Sequence, residues 1–108
     1  MIVKFKKNIT KNDQDGFSLI FTIDGKDVEL EITRSALAVL KAYTEDVSRL
    51  LEIVNFELLF NQVYDLAKDN KALVNKIVIA SDWVKLNGKI IFSKDEMQRF
   101  RESIVKID

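Results

Sequence analysis

The sequence predicts an α+β domain: a small antiparallel sheet with a central β-hairpin, packed on three to four helices on one face. Three observations carry that prediction. Asp24-Gly25 is a two-residue turn signal set between two segments that alternate apolar and polar residues. Beyond Ile32 the apolar residues recur at helical spacing instead. The 108 residues are 47% hydrophobic and 31% charged, with no Pro and only three Gly. That supplies one core and no linker composition, so residues 1–108 read as a single domain.

The elements follow in chain order. Val3 and Phe5 alternate with Lys4 and Lys6 and predict a first strand, followed by a polar loop from Asn8 to Gly16. Asp24-Gly25 favours a type I′ turn, because both central positions need positive φ. Counting outward pairs Ile23 with Lys26, Phe21 with Val28, Leu19 with Leu30 and Phe17 with Ile32, which gathers the apolar side chains on one face. The other face pairs Thr22 with Asp27, Ile20 with Glu29 and Ser18 with Glu31. Turn chemistry and hydrophobic pattern therefore choose the same register independently.

Thr33 or Ser35 can cap a short helix running to about Ala42, with Leu37, Val39 or Leu40, and Tyr43 available for burial. A second helical region spans about Thr44 to Asp69, and its apolar face does not hold one direction. Leu50, Leu51, Val54 and Leu58 lie within about 60° of Val47, whereas Ile53, Phe56, Phe60, Val63 and Ala67 cluster near the opposite side, at about 200°. Two geometries satisfy this pattern. Either the helix breaks near Asn55, a competent cap, or it is continuous and its second stripe meets another surface.

Residues 70–86 read as a helix capped by Asn70, with Leu73, Ile77, Ala80 and Val84 as its stripe and Asn87-Gly88 as its stop. The competing reading takes Ile77-Val78-Ile79 as a strand and Asn87-Gly88 as the turn of a hairpin from Trp83–Leu86 into Lys89–Phe92. In either case Lys89 to Phe92 is a strand. Ser93-Lys94-Asp95-Glu96 is a capping-box pattern that opens a last helix, with Met97, Phe100, Ile104 and Val105 directed inward.

Composition limits the chemistry. Seventeen basic residues balance seventeen acidic ones, and there is neither His nor Cys. Zinc sites of the N/S type, thiol nucleophiles, disulfides and imidazole bases are thereby excluded, and the bulk attraction of a non-specific polyanion binder is missing. No stretch has the apolar length of a signal-peptide core or a membrane span, so a cytoplasmic protein without membrane association is expected. Charge is uneven along the chain. Residues 1–12 carry four Lys and no acid, and residues 13–32 carry six acids and one Lys, which favours cross-strand pairing within the fold.

Each chemical motif has a plainer reading beside it. Asp13-Gln14-Asp15-Gly16 resembles the middle of a calcium loop, but Lys11 and Thr22 occupy positions that need an acid and a bidentate Glu, so it reads as a polar turn. Asp27, Glu29 and Glu31 line one strand face, as binary patterning requires of a solvated face. Lys94, Arg99, Arg101 and Lys106 make the last helix basic, although Asp95, Glu96 and Glu102 dilute it. Phe56, Phe60, Tyr64 and Trp83 are the interface candidates. Large aromatics supply most contact energy at interfaces, and the same side chains would also fill a small core.

A strand pair followed by Ile-Thr-x-x-Ala-Leu, spanning Phe21 to Leu37, then helices and a late Gly-x-Ile-x-Phe-Ser from Gly88 to Ser93, resembles a small bacterial family described as domain of unknown function 1488. The likeness covers residues 17–97. It implies a hairpin packed on helices, with no reaction and no functional residue to carry over. The function expected from the residues is a non-enzymatic protein-interaction module without a cofactor: a small inhibitor, immunity or adaptor protein whose partner is another protein or a second copy of the chain. The alternative is a nucleic-acid-associated regulator that uses the basic residues of the C-terminal helix.

Overall fold

The computed structural model describes residues 1–12, 16–39, 46–67, 73–92 and 94–105. Their hairpin follows the predicted register pair for pair, with β2 (Gly16–Ile23) antiparallel to β3 (Lys26–Ile32). Asp24 and Gly25 have φ of 51° and 85°, the two positive values that a type I′ turn demands. Phe17, Leu19, Phe21, Ile23, Val28, Leu30 and Ile32 are all buried on one face. Strand β1 (Val3–Asn12) joins the outer edge of β2, with register shifts between Phe5 and Lys7 and between Asn8 and Thr10. Such bulges are a common way to interrupt an edge strand.

Helix α1 (Arg34–Val39) is capped by Thr33, whose Oγ1 accepts from the Ala36 amide at 3.2 Å. Leu37 is buried as expected. Residues 40–45, including Leu40, Ala42 and Tyr43, lie outside the described residues. The next helical region breaks where the two apolar stripes diverge. Helix α2 (Val47–Ile53) ends at Val54, which is extended at φ −101° and ψ 131°, and α3 (Phe56–Ala67) begins directly beyond Asn55. Asn55 Oδ1 accepts from the Leu58 amide at 3.1 Å, while the Asn55 amide donates to the Ile104 carbonyl at 2.6 Å. Breaking the rod re-aims its second half, so that Leu50, Val54, Phe56, Leu59, Phe60, Val63 and Ala67 all enter one core.

The expectation of a helix over 70–86 is overturned, and the hairpin reading holds instead. Residues 76–92 form three strands: β4 (Lys76–Ile79), β5 (Val84–Leu86) and β6 (Lys89–Phe92). Asn70, the expected cap, lies outside the described residues. Three physical reasons decide the outcome. Ile77, Val78 and Ile79 are β-branched and favour extended backbone. Asn87 and Gly88 both have positive φ, 51° and 88°, matching the first hairpin turn. Asn87 also ties this turn to the start of β4. Its Oδ1 accepts from the Asn75 and Lys76 amides, each at 3.1 Å, and its Nδ2 donates to the Leu73 carbonyl at 2.7 Å. Leu73, which a helical stripe would have turned inward, is exposed.

Among the described residues the sheet has six strands in the order β1-β2-β3-β4-β5-β6, antiparallel everywhere except between β3 and β4. A parallel pair needs a crossover, and the helical segments between Thr33 and Val74 supply it. Helix α4 (Lys94–Ile104) closes the fold with Met97, Phe100 and Ile104 buried. Val105 is half-buried just past its end, bridging antiparallel to Val54. Ser93 lies outside the described residues. Helices and strands share one contiguous core, which lies on a single face of the sheet.

Candidate functional site

Of the four aromatic candidates, three belong to the core. Phe60 is fully buried, and Phe56 and Tyr64 are each only 7% exposed. The Phe21 ring organises the group, at 4.8 Å from Phe56 and 5.1 Å edge-on from Phe60. The break at Asn55 explains this placement, because the second stripe turns inward, while Leu58 and Leu66 of α3 stay exposed. For Phe56, Phe60 and Tyr64 the core reading holds in place of the interface one. Burial raises the Tyr64 pKa above its ordinary value near 10, and the nearby Asp24 carboxylate adds to the effect.

Trp83 is placed differently. It precedes β5, where Val84 is completely buried, so strand alternation directs Trp83 and Lys85 to the face away from the core. Lys85 Nζ lies 4.4 Å from the centroid of the indole ring, a cation–π contact between the two side chains. Val78 on β4 and Ile90 on β6 stand beside Lys85 in the register, Val78 half-buried and Ile90 56% exposed. An indole, an ammonium and two aliphatic side chains thus share one region of the open sheet face. Val78, Lys85 and Ile90 could not be singled out while their segment read as a helix. The Asn87-Gly88 turn was the signal that places them together.

The acids of β3 settle into structural pairs. Asp27, Glu29 and Glu31 run along the open face of β3. Lys6 Nζ is 2.9 Å from Asp27 Oδ2, and Lys76 Nζ is 3.4 Å from Glu29 and 3.9 Å from Glu31. Asp13, Gln14 and Asp15 lie outside the described residues. Among the described residues no group of three or more acids, His or Cys is placed to hold a metal ion. The basic residues of α4 do not form one face. Arg101 donates to the Ser81 carbonyl at 3.0 Å, Arg99 stands beside Asp95 and Glu96, and Lys106 lies outside the described residues.

A cleft of about 370 Å3 lies between α3, α4 and β6, lined by Gln62, Phe92, Asp95, Glu96, Arg99 and Phe100. The Phe92 and Phe100 rings in its wall are 4.7 Å apart. Gln62 Nε2 meets Ser103 Oγ at 2.6 Å and ties the two helices together. Among the described residues that line it, none is a nucleophile paired with a base.

Among the described residues the architecture is that of a two-layer α+β protein whose helices pack on one face of the sheet. No family model, curated protein or solved structure matches the chain. Among the described residues no helix is long and apolar enough to cross a membrane.

Proposed function

We propose that the chain is a non-enzymatic protein-interaction module of the inhibitor, immunity or adaptor kind, and that it docks through the open sheet face around Trp83. The supporting observation is the position of that residue. It is the single tryptophan of the sequence, half-buried on the face opposite the core and in contact with Lys85. A large aromatic at a surface loses little entropy on binding, and such residues dominate interface energetics. Val78 and Ile90 extend the apolar area around it. The partner is another protein or a second copy of the chain.

The test uses the purified protein as bait in an extract of its source cells, beside Trp83→Ser and the surface variant Leu73→Ser. A partner retained by the parent and by Leu73→Ser, then weakened about thirtyfold or more by Trp83→Ser, supports the reading. With one tryptophan in the chain, a blue shift of its emission in the reconstituted complex reports burial of Trp83 itself. Sedimentation across a concentration series identifies self-association by the same loss in Trp83→Ser. Binding that Trp83→Ser leaves unchanged would overturn the reading.

A further inference from the structure

Strand β1 lies at the end of the sheet opposite to the Trp83 region and, among the described residues, carries two lysines that meet no acid. Lys4, Lys6 and Lys7 lie on it without an acid among them. The acidic strand β3 is not their direct neighbour, because β2 lies between. Two strand spacings amount to about 9.6 Å, which a lysine can span only when well aligned. Lys6 does so and reaches Asp27. Glu29 and Glu31 are met from the other side, by Lys76 of β4. Among the described residues Lys4 and Lys7 have no acid partner.

The same strip is apolar. Ile2 is 63% exposed, Ile9 42% and Phe5 38%. Phe5 meets Phe21 edge-on at 5.6 Å, and Phe21 belongs to the core, so the inner side of the Phe5 ring is held while its outer side is bare. The Ile2 amide donates to Asp24 Oδ1 at 2.7 Å, and the Ile2 carbonyl accepts from the Asp24 amide at 2.9 Å, which fixes the start of the strip to the hairpin turn. The register places Lys4 and Lys7 on the open face, opposite Thr22 and Ile20, and Phe5 on the core face, opposite Phe21, so a partner lying along the outer edge meets ammonium groups on one side and an anchored aromatic ring on the other. The register shifts at Lys6 and Ile9 interrupt the outer edge, so side chains rather than a long backbone ladder would carry the contact.

We infer that β1 is a docking strip for an acidic polypeptide segment that carries apolar side chains between its carboxylates. The inference rests on the reading of the chain as a protein-interaction module and adds a second surface with a defined partner chemistry. Carboxylates would meet Lys4 and Lys7 on one side of the edge, and aliphatic or aromatic groups would cover Phe5 on the other. A polypeptide fits better than a nucleic acid or an anionic membrane. Asp24, Asp27, Glu29 and Glu31 stand within two strands of the strip and would repel an extended polyanionic surface, whereas a strand-sized segment can stay on β1.

The experiment measures fluorescence anisotropy of a dye-labelled twelve-residue peptide of alternating Glu and Val against the full chain at low salt. Peptides of Glu and Ser and of Lys and Val, a twelve-nucleotide single-stranded DNA, and phosphatidylserine-containing vesicles serve as the other arms. The Glu–Val peptide should bind best, and the double variant Lys4→Glu, Lys7→Glu should bind it about tenfold or more weakly while keeping the parent's far-ultraviolet circular dichroism. Phe5→Ser should weaken it as well, and Trp83→Ser should leave it unchanged. Absence of Glu–Val binding, equal binding by the charge-reversed variant, equal binding of the Glu–Ser peptide, tighter binding of DNA or vesicles, or loss in Trp83→Ser would each overturn the inference. Since Trp83→Ser reports the first surface and the lysine variant the second, failure of one reading is distinguishable from failure of the other.

Discussion

The two hairpins of the sheet use the same turn and differ in what holds them. In the first, Asp24-Gly25 joins β2 and β3 through seven residue pairs with clean alternation. In the second, Asn87-Gly88 joins β5 and β6 through three pairs and a register shift. The first turn residue clamps a third strand in both cases. Asp24 holds Ile2 at the start of β1, and Asn87 holds Asn75 and Lys76 at the start of β4. A long alternating hairpin specifies itself, whereas a short one is specified by the neighbours that seize its turn and cover its face.

Core truncations should separate the two most strongly. Phe21→Ala removes the ring that Phe5, Phe56 and Phe60 surround, and should cost about 4 kcal/mol in urea unfolding. Phe100→Ala takes away the cover of Phe92 and should cost about 3 kcal/mol. Hydrogen exchange sharpens the contrast: in Phe100→Ala the amides of residues 84–92 should lose protection ahead of those of 17–32. Equal loss in both hairpins would mean that the second is as self-sufficient as the first.

Glycine substitutions come next. A Cβ on Gly16, at φ +87°, would lie 2.0 Å from the Ile32 carbonyl oxygen, whereas at Gly25 and Gly88 it would meet nothing within 4 Å. Gly16→Ala should therefore lower stability by about 3 kcal/mol, and each turn variant by about 1–2 kcal/mol, the cost of a left-handed residue with a side chain. Thermal unfolding of the three variants tests that ranking.

The turn clamps should differ in the same direction. Asn87→Ala loses two accepted hydrogen bonds and one donated, and should cost about 2 kcal/mol, against about 1 kcal/mol for Asp24→Ala. Equal losses would show that the second hairpin does not depend more heavily on its clamp.

The smallest effect is alkaline. Tyr64 has a raised pKa in the folded chain, so the native state holds the phenolic proton more tightly than the unfolded state does. Its contribution to stability is complete below the unfolded value near 10 and is lost as pH rises through the folded value. In a Tyr43→Phe background, tyrosinate absorbance should titrate above the ordinary range, and Asp24→Asn should bring it part of the way back. Titration at the ordinary value would contradict the burial of Tyr64 beside the first turn.

Legibility followed the range of the physics. The register of residues 17–32 was readable because Asp24-Gly25 and the alternation from Phe17 to Ile32 agree. The break at Asn55 was one of two readings, since a cap and a divided stripe both pointed there. Met97, Phe100 and Ile104 were readable from helical spacing after a capping box. Residues 76–92 were not, because Ile77, Ala80 and Val84 satisfy a helical period while Ile77, Ile79 and Val84 line the core from two strands. The site suffered from the same ambiguity. Trp83 was singled out as a residue, but its neighbours Val78, Lys85 and Ile90 come together only across β4, β5 and β6.

By itself the amino-acid order determined the first hairpin, which of its faces is oily, where the central helix can be capped, and which side of the last helix turns inward. Each is settled within about ten residues by turn conformation or periodicity. Tertiary structure decided that β3 takes β4 as a parallel neighbour, that 76–92 is sheet, and that Phe56, Phe60 and Tyr64 face the core while Trp83 does not. Those outcomes depend on partners brought from distant parts of the chain, and short-range pattern carries no record of which partner closes the loop first.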